Sequence, residues 1–132
     1  MRDGQEHRQC VALSKLLRVV PVLALTLFMG PLFAKRAAPP PVSPVLCQGI
    51  KYSAPNDNGR VGYVLASDSG GKKLFQITVF ETEIDPKLEE DVQWVFIIDL
   101  RLSGNSLLVK DEKSRCFSIN LDTRVVEKKH RC

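Results

Sequence analysis

Apolar and polar side chains alternate with a period of two through most of residues 61–126, in short runs broken by turn-forming residues. That period predicts strands rather than helices. The run RVGYVLAS sets Val61, Tyr63 and Leu65 against Gly62, Val64 and Ala66, then meets DSGG at 68–71. The two glycines supply the positive backbone angles a hairpin needs. After this turn KKLFQITVFETEI places Phe75, Ile77 and Val79 on one face and Leu74, Gln76, Thr78 and Phe80 on the other.

The segment IDPKLEED at 84–91 interrupts the pattern with a proline and a cluster of charge, and predicts a loop. Next, VQWVFIIDLRL lays Val92, Trp94, Phe96, Ile98 and Leu100 along one face, expected to be the core side. Val95 and Ile97 make the reverse face partly apolar, as in a central strand covered on both sides. Turns at SGN (103–105), DEKSR (111–115) and DT (122–123) separate SLLVK, CFSINL and RVVEKK. The expected fold is all-β, an antiparallel meander with no helical stretch.

The N-terminal part reads differently. Residues 19–34, VVPVLALTLFMGPLFA, follow Lys15 and Arg18 and precede small residues, which is the layout of a secretory signal. The run is shorter than the roughly 20 residues of a spanning helix and contains Pro21, Gly30 and Pro31. Residues 1–34 are therefore expected to be a signal peptide cut after Ala34, with Ala37 and Ala38 as other cut sites and an uncleaved type II anchor as the alternative. A proline-rich spacer is expected over 35–46, because prolines lack the donors of helix or sheet. A single β domain is expected over 47–132.

Four of the 19 basic and two of the 15 acidic residues fall within 1–34, so the remainder carries a charge of only +2. No basic stripe interleaved with aromatics remains, which disfavours nucleic acid as a partner. Export places the thiols in an oxidising compartment. With Cys10 lost in the leader, Cys47, Cys116 and Cys132 are the disulfide candidates. An odd count implies a free thiol, a bond between molecules or a partner lost by truncation. No Cys or His pair has zinc-ligand spacing.

The order of an alternating strand, the ASDSGG turn, KKLFQITVFE, an acidic loop, VQWVFIIDL, a short hairpin to SLLVK and the Cys-centred KSRCFSINL resembles the N-terminal half of the ependymin family. The resemblance runs from Cys47 to about Leu121. It implies a half-open antiparallel β-sandwich like that of bacterial lipoprotein carriers, with an apolar pocket between two curved sheets. It further implies a secreted protein with lipid binding, calcium binding and cell-matrix adhesion. Cys47 and Cys116 match the positions of family half-cystines. The chain departs from the family in having no Asn-x-Ser/Thr sequon and no cysteine in the acidic loop. It also stops at Cys132, near the midpoint of the usual domain. That stop predicts a fragment or splice form, or a short member that completes its sandwich as a homodimer, since open sheet edges seek partners.

The candidate apolar pocket comprises Phe75, Ile77, Val79, Trp94, Phe96 and Ile98, with core packing as the plainer alternative. Candidate calcium ligands are Glu81, Glu83, Asp85, Glu89, Glu90 and Asp91, although alternate strand residues lie about 7 Å apart and no EF-hand spacing is present. An enzyme is disfavoured: a hydrolase needs a nucleophile with a positioned base, and the only histidines are His7, in the leader, and His130, close to the last residue. The expected work is binding of an apolar small molecule or lipid outside the cell. The competing reading is a protein-interaction module acting through an open sheet edge or a disulfide-linked dimer.

Overall fold

The computed structural model describes residues 10–12 and 36–132. The expected all-β architecture is present, as two antiparallel sheets. The first contains β1 (Cys10–Ala12), β2 (Val45–Cys47), β3 (Ile50–Ser53), β4 (Val61–Ser67) and β5 (Lys73–Glu81), paired in that order. The second contains β6 (Ile97–Ser103), β7 (Ser106–Asp111), β8 (Cys116–Asn120) and β9 (Val126–Lys129), again in chain order. A single 3-10 turn at Asp91–Gln93 is the one helical element among the described residues. No helix among them is long and apolar enough to cross a membrane.

Apart from residues 10–12, the segment expected as a leader lies outside the described residues. Those three form β1, with Cys10 opposite Cys47 in the ladder. Residues 36–44 have no regular structure, as a proline-rich stretch requires, but Val45 and Leu46 already belong to β2.

The turns follow from local chemistry. Asp68 Oδ1 accepts the backbone N–H groups of Gly70 and Lys72, both at 2.9 Å, and Gly71 takes φ +84°. Asn120 Oδ1 accepts the N–H groups of Asp122 and Thr123 and so shapes the β8–β9 turn. At the β7–β8 turn, Asp111 Oδ1 accepts the Arg115 N–H at 2.9 Å. In each case a short carbonyl-bearing side chain substitutes for a missing backbone acceptor.

One apolar cluster draws on both sheets: Val64, Ala66, Ile77 and Phe80 from the first, Ile97, Leu107, Val109, Phe117 and Ile119 from the second. The rings of Phe80 and Phe117 stack across the interior with centroids 5.6 Å apart. Full burial of each such side chain contributes about 1.5–3 kcal/mol. Asn56 fastens the sheets at one end by pairing with β6 as a strand residue does. Its Nδ2 donates to the Ile97 carbonyl at 2.7 Å and its Oδ1 accepts the Ile97 N–H at 3.2 Å.

Two expected faces are corrected. Phe80 points inward, because a register shift pairs Tyr63 with Thr78 but Gly62 with Phe80, leaving Val79 as an inserted residue. The strand expected from Val92 begins only at Ile97, and burial does not follow the expected face: Phe96 of that face is 2% exposed, but the reverse-face residues on either side of it are buried as well. Val95 and Ile97 are 1% and 0% exposed, whereas Ile98 is 43% exposed. A second shift, between Ile97 and Asp99, then returns Leu100 to the core. Bulges of this kind exchange the two faces of a strand without disturbing its alternation.

Cys116 and Cys132 form a disulfide within the chain, with Cα atoms 5.4 Å apart. Cys47 is also disulfide-bonded, and among the described residues no cysteine is free. Cys132, expected as a possible link between molecules, is thus engaged within its own chain.

Candidate functional site

The six residues expected to line one apolar pocket fall into three places. Ile77 and Val79 are buried in the shared core. Phe75 lies on the same inward row of β5 but is only half-buried, at the end of the space between the sheets. There the guanidinium carbon of Arg124 stands 3.8 Å from the Phe75 ring centroid. Arg124 itself is exposed and holds φ +61° in the β8–β9 turn. A guanidinium over an aromatic face is held by the ring quadrupole and the exclusion of water from the ring.

Tyr52 of β3, 4% exposed, lies within the same electrostatic neighbourhood. Burial pushes its hydroxyl above the ordinary tyrosine range; the nearby Arg124 charge opposes that rise and Asp122 adds to it. The end of the sandwich between the β4–β5 and β8–β9 turns thus combines an accessible apolar ring, a buried phenol and one exposed cation.

Trp94 and Phe96 belong to a separate cluster outside the shared core. Their rings meet edge to face with centroids 6.2 Å apart, and Arg36 lies 5.6 Å from the Phe96 centroid. The Arg36 guanidinium donates to the Trp94 carbonyl and to Glu112 Oε2, the latter at 2.6 Å. Glu112 Oε2 also accepts the Phe96 N–H at 3.2 Å. A cleft of about 320 Å3 here is lined by Arg36, Glu83, Trp94 and Glu112 among others. Ile98 instead borders a groove with Pro39, Pro40 and Pro41.

The acidic positions do not converge. Glu90 is taken by a bidentate pair with Arg60. Asp85 Oδ1 accepts the Lys87 N–H at 2.9 Å, and Glu83 faces the cleft beside Arg36. Among the described residues no three His, Cys, Asp or Glu side chains gather as a metal site. The loop around 85–90 is organised by an amide. Gln93 Nε2 donates to the carbonyls of Asp85, Leu88 and Glu89, while its Oε1 accepts the Asp85 N–H at 2.8 Å.

Arg36, Arg115 and Arg124 therefore matter to the shape of these surfaces, although nothing in their local sequence distinguishes them from other surface arginines. Each meets an aromatic ring from a distant segment, a relationship that periodicity does not carry. No protein-family model, curated protein or solved structure matches this chain.

Proposed function

We propose that this chain is an extracellular, ependymin-like protein without enzymatic activity, whose work is to hold a lipid or other apolar ligand between its two sheets and to contact the matrix. The observation that carries this reading is Phe75. It is an aromatic ring on the core-facing row of β5, covered at its outer end by the side chain of exposed Arg124. Swinging Arg124 aside uncovers apolar surface continuous with Ile77 and the interior. The same guanidinium then offers a charge-assisted hydrogen bond to an acidic head group. An amphiphile with an anionic head satisfies both features.

Displacement of a fluorescent fatty acid tests the reading. Saturable binding by the chain, weakened in Phe75→Ala and again in Arg124→Ala, supports it. Absence of saturable binding in lipid-free protein sinks it.

A second reading rests on the outer edge of β5, which has no neighbour among the described strands. That edge begins with Lys72 and Lys73 and ends with Glu81 and Glu83, so two copies paired antiparallel would set opposite charges against each other. Bulges at both ends of β5 limit such pairing to its middle. Sedimentation of lipid-free protein separates the readings: a homodimer favours edge pairing, a monomer that takes up lipid favours the carrier.

A further inference from the structure

Leu107, Val109, Phe117 and Ile119 turn inward from the second sheet, so the residues alternating with them stand on its outer face. At one end of that face Lys110, Cys116 and Lys129 are direct neighbours across β7, β8 and β9. Two strand spacings separate the lysines, about 10 Å. Between them lies the disulfide, which draws residues 130–132 back onto the strand that carries Cys116. The stretch that carries His130 and Arg131 is thereby tied back to the strand that runs between the two lysines. Lys113, exposed, flanks the same end from the β7–β8 turn, whereas Lys128 pairs with Phe117 and belongs to the opposite row.

Asp99 is the cross-strand neighbour of Lys110 and is paired with Arg101 at 2.8 Å; the other acids near this end are also paired. Asp111 is buried and paired with Arg115 at 2.6 Å, and Glu112 is paired with Arg36 at 2.6 Å. Glu127 meets Lys129 at 2.7 Å, but both side chains are largely exposed, so a stronger anion displaces that pair at little cost. The result is a braced concentration of positive charge on a chain whose net charge is only +4.

We propose that this end of the second sheet binds a linear sulfated polysaccharide. The patch contains no Phe, Tyr or Trp ring on which a nucleic-acid base could stack. The exposed large apolar side chains, Leu74, Leu88, Val92, Ile98 and Val125, lie elsewhere, so nothing in the patch inserts into a membrane. What remains is a rigid row of cations suited to a polymer with regularly recurring anionic groups, held by charge and counterion release. The inference deepens the matrix contact proposed above, and its charge geometry is independent of the apolar ligand.

Heparin is the probe, titrated against the full chain. Neutralisation of about four charges, those of Lys110, Lys113, Lys129 and Arg131, predicts an affinity that falls about a hundredfold between roughly 50 and 200 mM salt. Lys129→Glu with Arg131→Glu lowers the affinity about tenfold or more and reduces the salt slope by about two. Lys72→Glu with Lys73→Glu, on the first sheet, leaves both unchanged. Thermal melts show that each variant is folded, and fatty-acid displacement in the same samples reads the apolar site separately. No retention at low salt overturns the proposal. So does an equal loss in the Lys72 and Lys73 variant, or equal competition by desulfated heparin or phosphatidylserine vesicles.

Discussion

The ring of Phe80 fills the space above Gly62 where a side chain would otherwise stand. A Cβ placed on Gly62 would lie 2.2 Å from Phe80 Cζ and 2.3 Å from Cε1. The contact exists because the inserted Val79 turns Phe80 inward against its partner strand. Phe80 then stacks on Phe117 and carries the guanidinium of Arg115 4.9 Å from its centroid. One missing side chain on β4 thus allows the two sheets to meet through an aromatic pair.

Gly62→Ala forces the ring out of this position, and an over-filled core typically loses about 1–3 kcal/mol. Urea denaturation is expected to show a lower midpoint with an unchanged slope. Adding Phe80→Leu should recover part of the loss by vacating the space. Full additivity of the two substitutions would mean that the residues do not share it.

Asp111 has no exposed surface, and it accepts both the Nε–H of Arg115 at 2.6 Å and the Arg115 N–H. Asp111→Ala therefore strands a cation against the Phe80–Phe117 pair. Breaking a fully buried ion pair costs about 3–5 kcal/mol. The Arg115 side chain is 31% exposed, so solvent screening brings the expected loss to about 2–3 kcal/mol. The same denaturation experiment reads it, and a change under 1 kcal/mol counts against the pair as an anchor.

The strand order and hairpins were legible because their signals are local. Asp68-Ser69-Gly70-Gly71 specifies its turn through one carboxylate and one left-handed glycine, and alternation specifies extended backbone. Which face is buried is not a local property. A single inserted residue at Val79 or Ile98 exchanges the faces, and the alternation reads equally well on either side of it. The apolar residues on the supposed reverse face, Phe80, Val95 and Ile97, are for that reason the core itself. The expected pocket divided because Trp94 and Phe96, which precede β6, pack against each other and Arg36 outside the cluster that holds Ile77. The arginines over Phe75, Phe80 and Phe96 lie 49, 35 and 60 residues from those rings in the chain, beyond the reach of any spacing rule.

The disulfide closes a segment with a separation of 16 residues. In the chain-entropy account a loop of this length contributes about 3 kcal/mol. Cys132→Ser is expected to lose about 2–3 kcal/mol and to speed hydrogen exchange first in β9, which among the described strands pairs only with β8. Peptide mapping of the unreduced protein should recover Cys116 and Cys132 in one linked fragment.

The Glu90 carboxyl is held below the ordinary carboxylate range, first by its hydrogen bond from Arg60 and to a lesser degree by that from Trp94. A lowered pKa in the folded state stabilises the fold at pH above the unfolded value. That contribution is lost as pH falls through the folded value. Arg60→Ala should return the Glu90 pKa toward the ordinary range, read by NMR titration of the carboxyl carbon. Because both side chains of the pair remain in contact with solvent, at 57% and 41% exposure, screening leaves global stability scarcely changed.

Gln93 does for the 85–90 loop what a bound cation does in a calcium loop: it gathers backbone oxygens around one centre. Its Nε2 meets the Asp85 and Glu89 carbonyls at 3.0 and 3.1 Å, and its Oε1 returns a bond to the Asp85 N–H. Backbone carbonyls drawn onto an amide are already satisfied, and the carboxylates around them point apart. Gln93→Ala removes the hub while leaving every carboxylate in place. Amide exchange at Asp85 should then accelerate about tenfold or more, as loss of roughly 1.4 kcal/mol of local protection requires. Proteolysis within the loop should rise with it. Millimolar calcium should leave exchange in the unmodified chain unchanged; protection that grows with calcium would show that the carboxylates, not the amide, govern the loop.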